Sequence, residues 1–215
     1  MHGRRSAIKF DWIDFGPSLK EPEARKLDKL LHNSTSSLLA KHLRGRDAPF
    51  SKIFCWLRSD EGVFEGADTS GVRHLEATFP FDAYDTRGAD HLAIFADWLV
   101  RTVATGAPEL GIDRTQCSAL AKTLSAEEYT YTRVDKLKAP TGQPKCEIRY
   151  QHTPWELVIT VNCKLEDGRT ITRTLREHPF ARDELVYGKA ITRCSVHDGD
   201  RLALESFLGT LLAIR

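Results

Sequence analysis

The sequence predicts an α+β fold, a mainly antiparallel sheet with three or four helices packed on it. Two observations lead to this prediction. Alternating apolar and polar residues, which are typical of strands, come in groups of two or three, and single amphipathic helical patterns separate the groups. A parallel α/β fold would instead show a helix after each strand. We therefore expect neighbouring strands in the chain to pair as hairpins and meanders.

The amino-terminal part predicts a strand followed by a helix. Ile8, Phe10 and Trp12 alternate with polar residues, and Gly16-Pro17 ends this first strand. Leucines at helical spacing predict a long helix over 22–43, although the polar stretch 33–37 favours a break because short polar side chains compete for backbone hydrogen bonds.

The middle of the chain predicts a meander and two more helices. β-prone runs at 53–57, 63–64 and 72–79 are separated by turn residues, which indicates three antiparallel strands. An apolar stripe predicts a helix over 89–103, and a shorter helix is expected over 115–124. Ser125 and Glu128 have the spacing of a capping box.

The carboxyl-terminal part begins after the Pro/Gly-containing segment 138–144, the best candidate linker. We expect a single α+β domain over 1–215, with subdivision into 1–137 and 145–215 as the alternative. Alternation over 155–165 and a turn at 166–168 predict a long antiparallel hairpin.

Two further elements are expected after the hairpin, a strand through 185–194 and a terminal helix over 204–212 that docks on the sheet. Each of the four tryptophans falls on an apolar stripe or strand, which favours a role in core packing.

The composition favours a folded protein inside the cell. The chain has 215 residues, a net charge of +1 and 41% hydrophobic residues. No apolar run approaches the ~20 residues that a membrane helix needs, and the first residues do not resemble a secretory signal. These features predict a cytoplasmic location without membrane association. The five scattered cysteines form no Cys-x-x-Cys pair and are interpreted as buried free thiols.

Motif searches favour neither a metal nor a cofactor. The eight histidines show no metal-ligand spacing, and the sequence has no phosphate-binding glycine loop and no Gly-x-Ser-x-Gly nucleophile motif. Nucleic acid is not a favoured partner, because the basic residues form no concentrated stripe. The sequence leaves the oligomeric state open.

One polar cluster keeps an enzymatic alternative open. A histidine, an arginine and two acidic residues lie close together after the predicted hairpin, and together they offer an acid, a base and an anion clamp. The alternative is a small hydrolase or transferase that uses His178, Arg182, Asp183 and Glu184.

An uneven charge distribution leads to the favoured hypothesis. Residues 51–100 carry nine acidic and four basic side chains, so an acidic surface is expected to attract a basic partner. The sequence favours a non-enzymatic intracellular binding protein, for example an inhibitor or immunity-type protein that neutralises a basic toxin or nuclease. A third hypothesis is an interaction module that exposes an apolar patch on the predicted helix 204–212. The expected partner-binding residues are Glu61, Glu65, Asp68, Glu76, Asp82, Asp85 and Asp90.

Overall fold

The chain divides into two compact units, Met1–Tyr131 (unit 1) and Thr132–Arg215 (unit 2). The boundary precedes the predicted linker 138–144, and the single domain and its subdivision at that linker stay predictions. A computed structural model describes residues 8–17, 29–59, 63–65, 68–85, 90–137, 144–177, 191–197, 201–206 and 209–214.

Unit 1 combines a mixed sheet with helices. Its elements, in chain order, are β1 (Ile8–Lys9), β2 (Trp12–Pro17), α1 (Lys29–Leu43), β3 (Asp47–Ala48), β4 (Lys52–Arg58), β5 (Val63–Glu65), β6 (Val72–Thr78), α2 (His91–Gly106), a 3-10 helix (Pro108–Leu110) and α3 (Arg114–Ala126). Strands β1 and β3 form a separate antiparallel pair.

The main sheet of unit 1 is largely parallel, so the predicted fold class is wrong. Its strand order is β2-β4-β6-β5, in which β2, β4 and β6 are parallel and only the edge strand β5 is antiparallel. The predicted meander is wrong for the same reason: β6 inserts between β4 and β5. Alternation shows which face of a strand is buried, but it carries no information about the neighbouring strand or its direction. The chain is mixed α+β, with parallel and antiparallel sheets.

Helix α1 continues through the polar stretch 33–37, where the sequence favoured a break. The hydroxyl of Ser36 donates to the backbone oxygen of Asn33 at 3.0 Å, so this side chain bonds to its own helix without interrupting it. Residues 34–37 are buried, and tertiary burial here outweighs the low helix propensity of serine and threonine. Residues 22–28 of the predicted helix lie outside the described residues.

Helices α2 and α3 confirm the predictions for 89–103 and 115–124 within a few residues. The capping-box spacing of Ser125 and Glu128 caps no helix, and a capping box lies at Asp113 and Gln116. Asp113 accepts a hydrogen bond from the backbone nitrogen of Gln116, and the Gln116 side chain accepts one from the backbone nitrogen of Asp113, which caps the start of α3. Ser125 belongs to the last turn of α3 and begins no helix.

Unit 2 consists of two antiparallel arrangements of strands. A four-stranded sheet has the order β10-β9-β8-β7, and a three-stranded sheet has the order β11-β12-β13. The strands are β7 (Tyr131–Lys136), β8 (Lys145–His152), β9 (Leu157–Lys164), β10 (Thr170–Glu177), β11 (Ile191–His197), β12 (Arg201–Ser206) and β13 (Gly209–Ile214).

The predicted hairpin is confirmed by the pairing of β9 with β10, from Cys163 opposite Ile171 to Leu157 opposite Glu177. The predicted terminal helix over 204–212 is wrong, because β12 and β13 occupy this part of the chain and pair with each other. A short leucine-rich run fits either period, and pairing with neighbouring strands decides the outcome. The third hypothesis required an apolar patch on a terminal helix, and this part of the chain forms strands instead.

Two interpretations of individual side chains are also corrected. Cys146 and Cys163 are not free thiols: they face each other across β8 and β9 and form a disulfide. Trp155 precedes β9 and is 58% exposed, so core packing does not describe its position. Among the described helices, none is long and apolar enough to cross a membrane.

Candidate functional site

In unit 1 the carboxyl-terminal edge of the parallel sheet is where a binding site is expected. The segment that follows β6 leads to α2, and α1 follows β2 at the same edge. Open α/β sheets bind their ligands outside the carboxyl ends of the parallel strands, because the loops there are free to vary. This edge brings together the start of α1, the start of α2 and the segment after β6.

Tyr84 anchors the segment after β6 to the core. Its side chain is buried, at 6% exposure, and its hydroxyl forms a 2.5 Å hydrogen bond with Nε2 of His32 on α1. The Tyr84 ring also packs edge-on against Phe79, with the ring centroids 5.2 Å apart. A hydrogen bond to α1 and an aromatic contact therefore fix one residue in the middle of this segment.

His32 is a neutral member of this buried group. Its ring stacks on Phe95 of α2 with the centroids 4.0 Å apart. Burial, and secondarily the nearby His91, lower the pKa of His32 from 6.5 to about 3. Within the described residues Nδ1 of His32 has no hydrogen-bond partner. At neutral pH the imidazole of His32 is therefore uncharged, and it positions Tyr84 through their hydrogen bond.

Two backbone turns hold the residues around Tyr84. The backbone nitrogen of Ala83 donates to the oxygen of Pro80 at 3.1 Å, and that of Tyr84 donates to the oxygen of Phe81 at 3.3 Å. Asp82 and Asp85 lie on either side of the buried Tyr84 and are both exposed. The turns and the anchor present these carboxylates on a conformationally restricted segment.

Asp90, five positions after Asp85 in the sequence, is a third exposed carboxylate. It lies at the amino-terminal boundary of α2, where the helix dipole favours negative charge, but its side chain makes no capping hydrogen bond. We call Asp82, Asp85 and Asp90 the acidic loop. The basic residue Arg87 lies between them in the sequence, outside the described residues.

Two of the other expected partner-binding residues form ion pairs within unit 1. Asp68 binds Arg73 through two hydrogen bonds of 2.6 and 3.0 Å. Glu76 forms a salt bridge with Arg58 on the neighbouring strand. Their charges are therefore partly compensated. Glu61 lies outside the described residues, as does the side chain of Glu65.

The residues of the enzymatic alternative, His178, Arg182, Asp183 and Glu184, all lie outside the described residues. Their convergence into a pocket stays a prediction.

A groove between α2 and α3 is a feature that sequence reasoning missed. It encloses a cavity of about 770 Å³, and its walls combine small side chains with basic ones. Arg101 is paired with Asp97 on α2. Of the described residues in α3 only Leu124 is fully buried, so most of this helix faces solvent or the groove. A periodicity argument locates the apolar stripe of a helix but gives no measure of how much of it is covered.

Comparisons of this chain with protein-family models, with curated proteins and with solved structures found no match.

Proposed function

We propose that the protein is a non-enzymatic binding protein that recognises a basic partner through the acidic loop. The observation that carries this proposal is the position of Tyr84, buried and bonded to His32 between the exposed Asp82 and Asp85. A restricted segment loses less conformational entropy when it binds, so its charges contribute more to affinity than those of a mobile tail.

The sequence led us to expect a partner-binding surface of seven carboxylates, and we now propose that the three of the acidic loop form it. Asp68 and Glu76 interact with arginines of their own unit and are not part of the proposed surface, which is defined by the anchored segment around Tyr84. The loop lies at the carboxyl-terminal edge of the parallel strands, a favoured position for binding in this type of sheet. A basic toxin or nuclease fits this chemistry, and the protein would then act as its inhibitor.

A charge-neutralisation series tests the proposal. We would isolate a stoichiometric partner from a native lysate with the wild-type protein, identify it by mass spectrometry, and measure its affinity for two triple variants. One variant is Asp82→Asn/Asp85→Asn/Asp90→Asn. The matched control, Glu128→Gln/Glu147→Gln/Glu166→Gln, removes the same charge from solvent-accessible sites elsewhere.

The acidic-loop variant should bind the partner roughly 10- to 100-fold more weakly, because each exposed charged contact contributes about 0.5–1 kcal/mol. The control should stay within about threefold of wild type, and added salt should slow association of the wild type. A partner with an acidic contact surface, or equal losses in both variants, contradicts the proposal. Circular dichroism of both variants verifies that they are folded.

A further inference from the structure

Three sulfur atoms meet in the core of unit 2. The disulfide joins Cys146 of β8 to Cys163 of β9, and Sγ of Cys194 on β11 lies 3.4 Å from Sγ of Cys163. All three residues are buried, and the three sulfur atoms lie within 4.8 Å of one another. A cross-link needs two cysteines, so the third sulfur at this distance requires a separate explanation.

The environment of these sulfurs is apolar. Ile148, Ile159, Val161 and Ile171 belong to the same buried cluster. A hydrophobic shell of this kind limits the access of water and favours a soft ligand–metal bond over hydration of the ion.

We propose that Cys146, Cys163 and Cys194, once reduced, form a three-sulfur site for a thiophilic metal ion, Cu(I). Thiolates are soft ligands that select Cu(I) and Zn(II). Structural zinc takes four ligands, and among the described residues no fourth histidine, cysteine or carboxylate joins this group. Three sulfurs complete a trigonal Cu(I) centre without a further donor.

Positively charged lysines lie near Cys146, whereas the proposed copper–thiolate centre is negative. Three thiolates and one Cu(I) carry a net charge of −2, which is costly in an apolar core. Cys146 also lines a cavity of about 450 Å³ whose wall contains Lys136, Lys145 and Lys164, with Glu147 as an acidic neighbour. Lys145 and Lys164 alternate with the buried Cys146 and Cys163 along β8 and β9, so their ammonium groups lie on the exposed face of the sheet and attract the anionic centre from the other side of it.

The disulfide makes this site dependent on redox state. Opening the Cys146–Cys163 bond takes two electrons and two protons, which a dithiol supplies as it becomes a disulfide itself. Cu(I) then displaces the protons of the three thiols and binds the sulfurs. The form with the disulfide is the oxidised, metal-free state, and the reduced form is the metal-binding state.

The test uses the full-length protein, reduced with a phosphine under anaerobic conditions and titrated with Cu(I) against a chromophoric chelator. Cys194→Ser removes the third sulfur. Cys117→Ser on α3 of unit 1 is the matched control, because it removes one thiol outside the cluster. Wild type and Cys117→Ser should each take up one equivalent of Cu(I), and X-ray absorption should count three sulfur neighbours. Cys194→Ser should lose at least tenfold in affinity.

Alkylation under denaturing conditions verifies the redox step. Three cysteines should react before reduction and five after it. A count that stays at three overturns the proposal, as do equal Cu(I) affinities of wild type and Cys194→Ser, or binding of Zn(II) without Cu(I). If the reduced protein loses its β-sheet circular dichroism, Cu(I) should restore it in the wild type and not in Cys194→Ser. Failure to restore it also overturns the site.

Discussion

The core clusters of the two units depend on different chemistry. In unit 1 a charged guanidinium, Arg73, and a neutral imidazole, His32, are buried among aromatic side chains, and each is held by partners from distant parts of the chain. The buried cluster of unit 2 combines aliphatic residues and one aromatic residue, Tyr150, with the sulfurs of Cys146, Cys163 and Cys194.

This difference reflects how the two sheets are built. Parallel strands need connecting segments that return across the sheet, and His32 on α1 belongs to such a segment; Arg73 lies on strand β6 itself and is buried with Asp68 and Glu109 as its partners. Antiparallel strands that follow one another pair directly and bury one face by simple alternation. We therefore expect the stability of unit 1 to respond to ion pairing and pH, and that of unit 2 to the oxidation state of its cysteines.

The largest expected effect is in unit 1, from Arg73→Met. Arg73 has a side chain only 9% exposed, and it binds Asp68 and Glu109 as well as the backbone oxygen of Gly106. The hydrogen bonds that Arg73 donates to Asp68 raise the pKa of Arg73 further, so it stays charged. Arg73→Met removes the hydrogen bonds to both carboxylates and to the Gly106 oxygen. Hydrogen bonds of charged groups contribute about 1.5–3 kcal/mol each, and less where the carboxylates are exposed, so we expect a loss of about 3–4 kcal/mol in urea unfolding.

Arg101→Met is the matched control for this prediction. Arg101 also pairs with an aspartate, Asp97, but both lie on the surface of α2. The control should change the free energy of unfolding by less than about 1 kcal/mol. If the two variants lose similar free energies of unfolding, the burial of Arg73 does not increase its contribution to stability.

The next largest effect concerns unit 2, through the disulfide. Cys146 and Cys163 are 17 residues apart, and the chain-entropy relation gives about 3 kcal/mol for a loop of that size. Reduction should therefore increase amide hydrogen exchange in β8, β9 and β10 by roughly a hundredfold. Strands β4 and β6 of unit 1 serve as the internal control and should keep their protection. Equal changes in both units would show that their stabilities are coupled.

The sequence predicted the elements whose evidence is local. Helices α2 and α3 and the β9–β10 hairpin follow from periodicity and turn residues that lie within each segment. The parallel pairing of β2, β4 and β6 was missed, because the alternation of each strand is the same for either direction of its neighbour. Strands β12 and β13 were predicted as a helix, because few leucines in a short run fit both periods.

In the candidate sites, too, local patterns in the sequence did not predict contacts between distant residues. The sequence identified Asp82, Asp85 and Asp90 as acidic residues of one region, but it gave no reason to expect the hydrogen bond between Tyr84 and His32, which lie 52 positions apart. Cys146 and Cys163 each occupy an apolar position in a strand where apolar and polar residues alternate, so their burial was correctly expected. Their pairing depends on the register of β8 against β9, which no local pattern specifies.

The smallest of the three effects is the pH response of unit 1 through His32. The folded-state pKa of His32, about 3, lies below the unfolded value of 6.5, so the unfolded chain binds the proton more readily. This contribution to stability is complete above pH 6.5 and decreases as the pH falls towards 3. At pH 4.5 the loss should reach about 2–3 kcal/mol, at 1.36 kcal/mol per pH unit.

His32→Gln keeps a polar side chain of similar size but cannot titrate, so its stability should decrease less than that of wild type between pH 6.5 and 4.5. His42→Gln, on the same helix but partly exposed and bonded to Glu127, retains His32 and should keep most of the wild-type slope. Urea unfolding at several pH values measures the difference. If the slopes of wild type and His32→Gln coincide, the buried imidazole does not control acid sensitivity, and the contrast between a proton-dependent unit 1 and a redox-dependent unit 2 must then depend on Arg73 and its carboxylates alone.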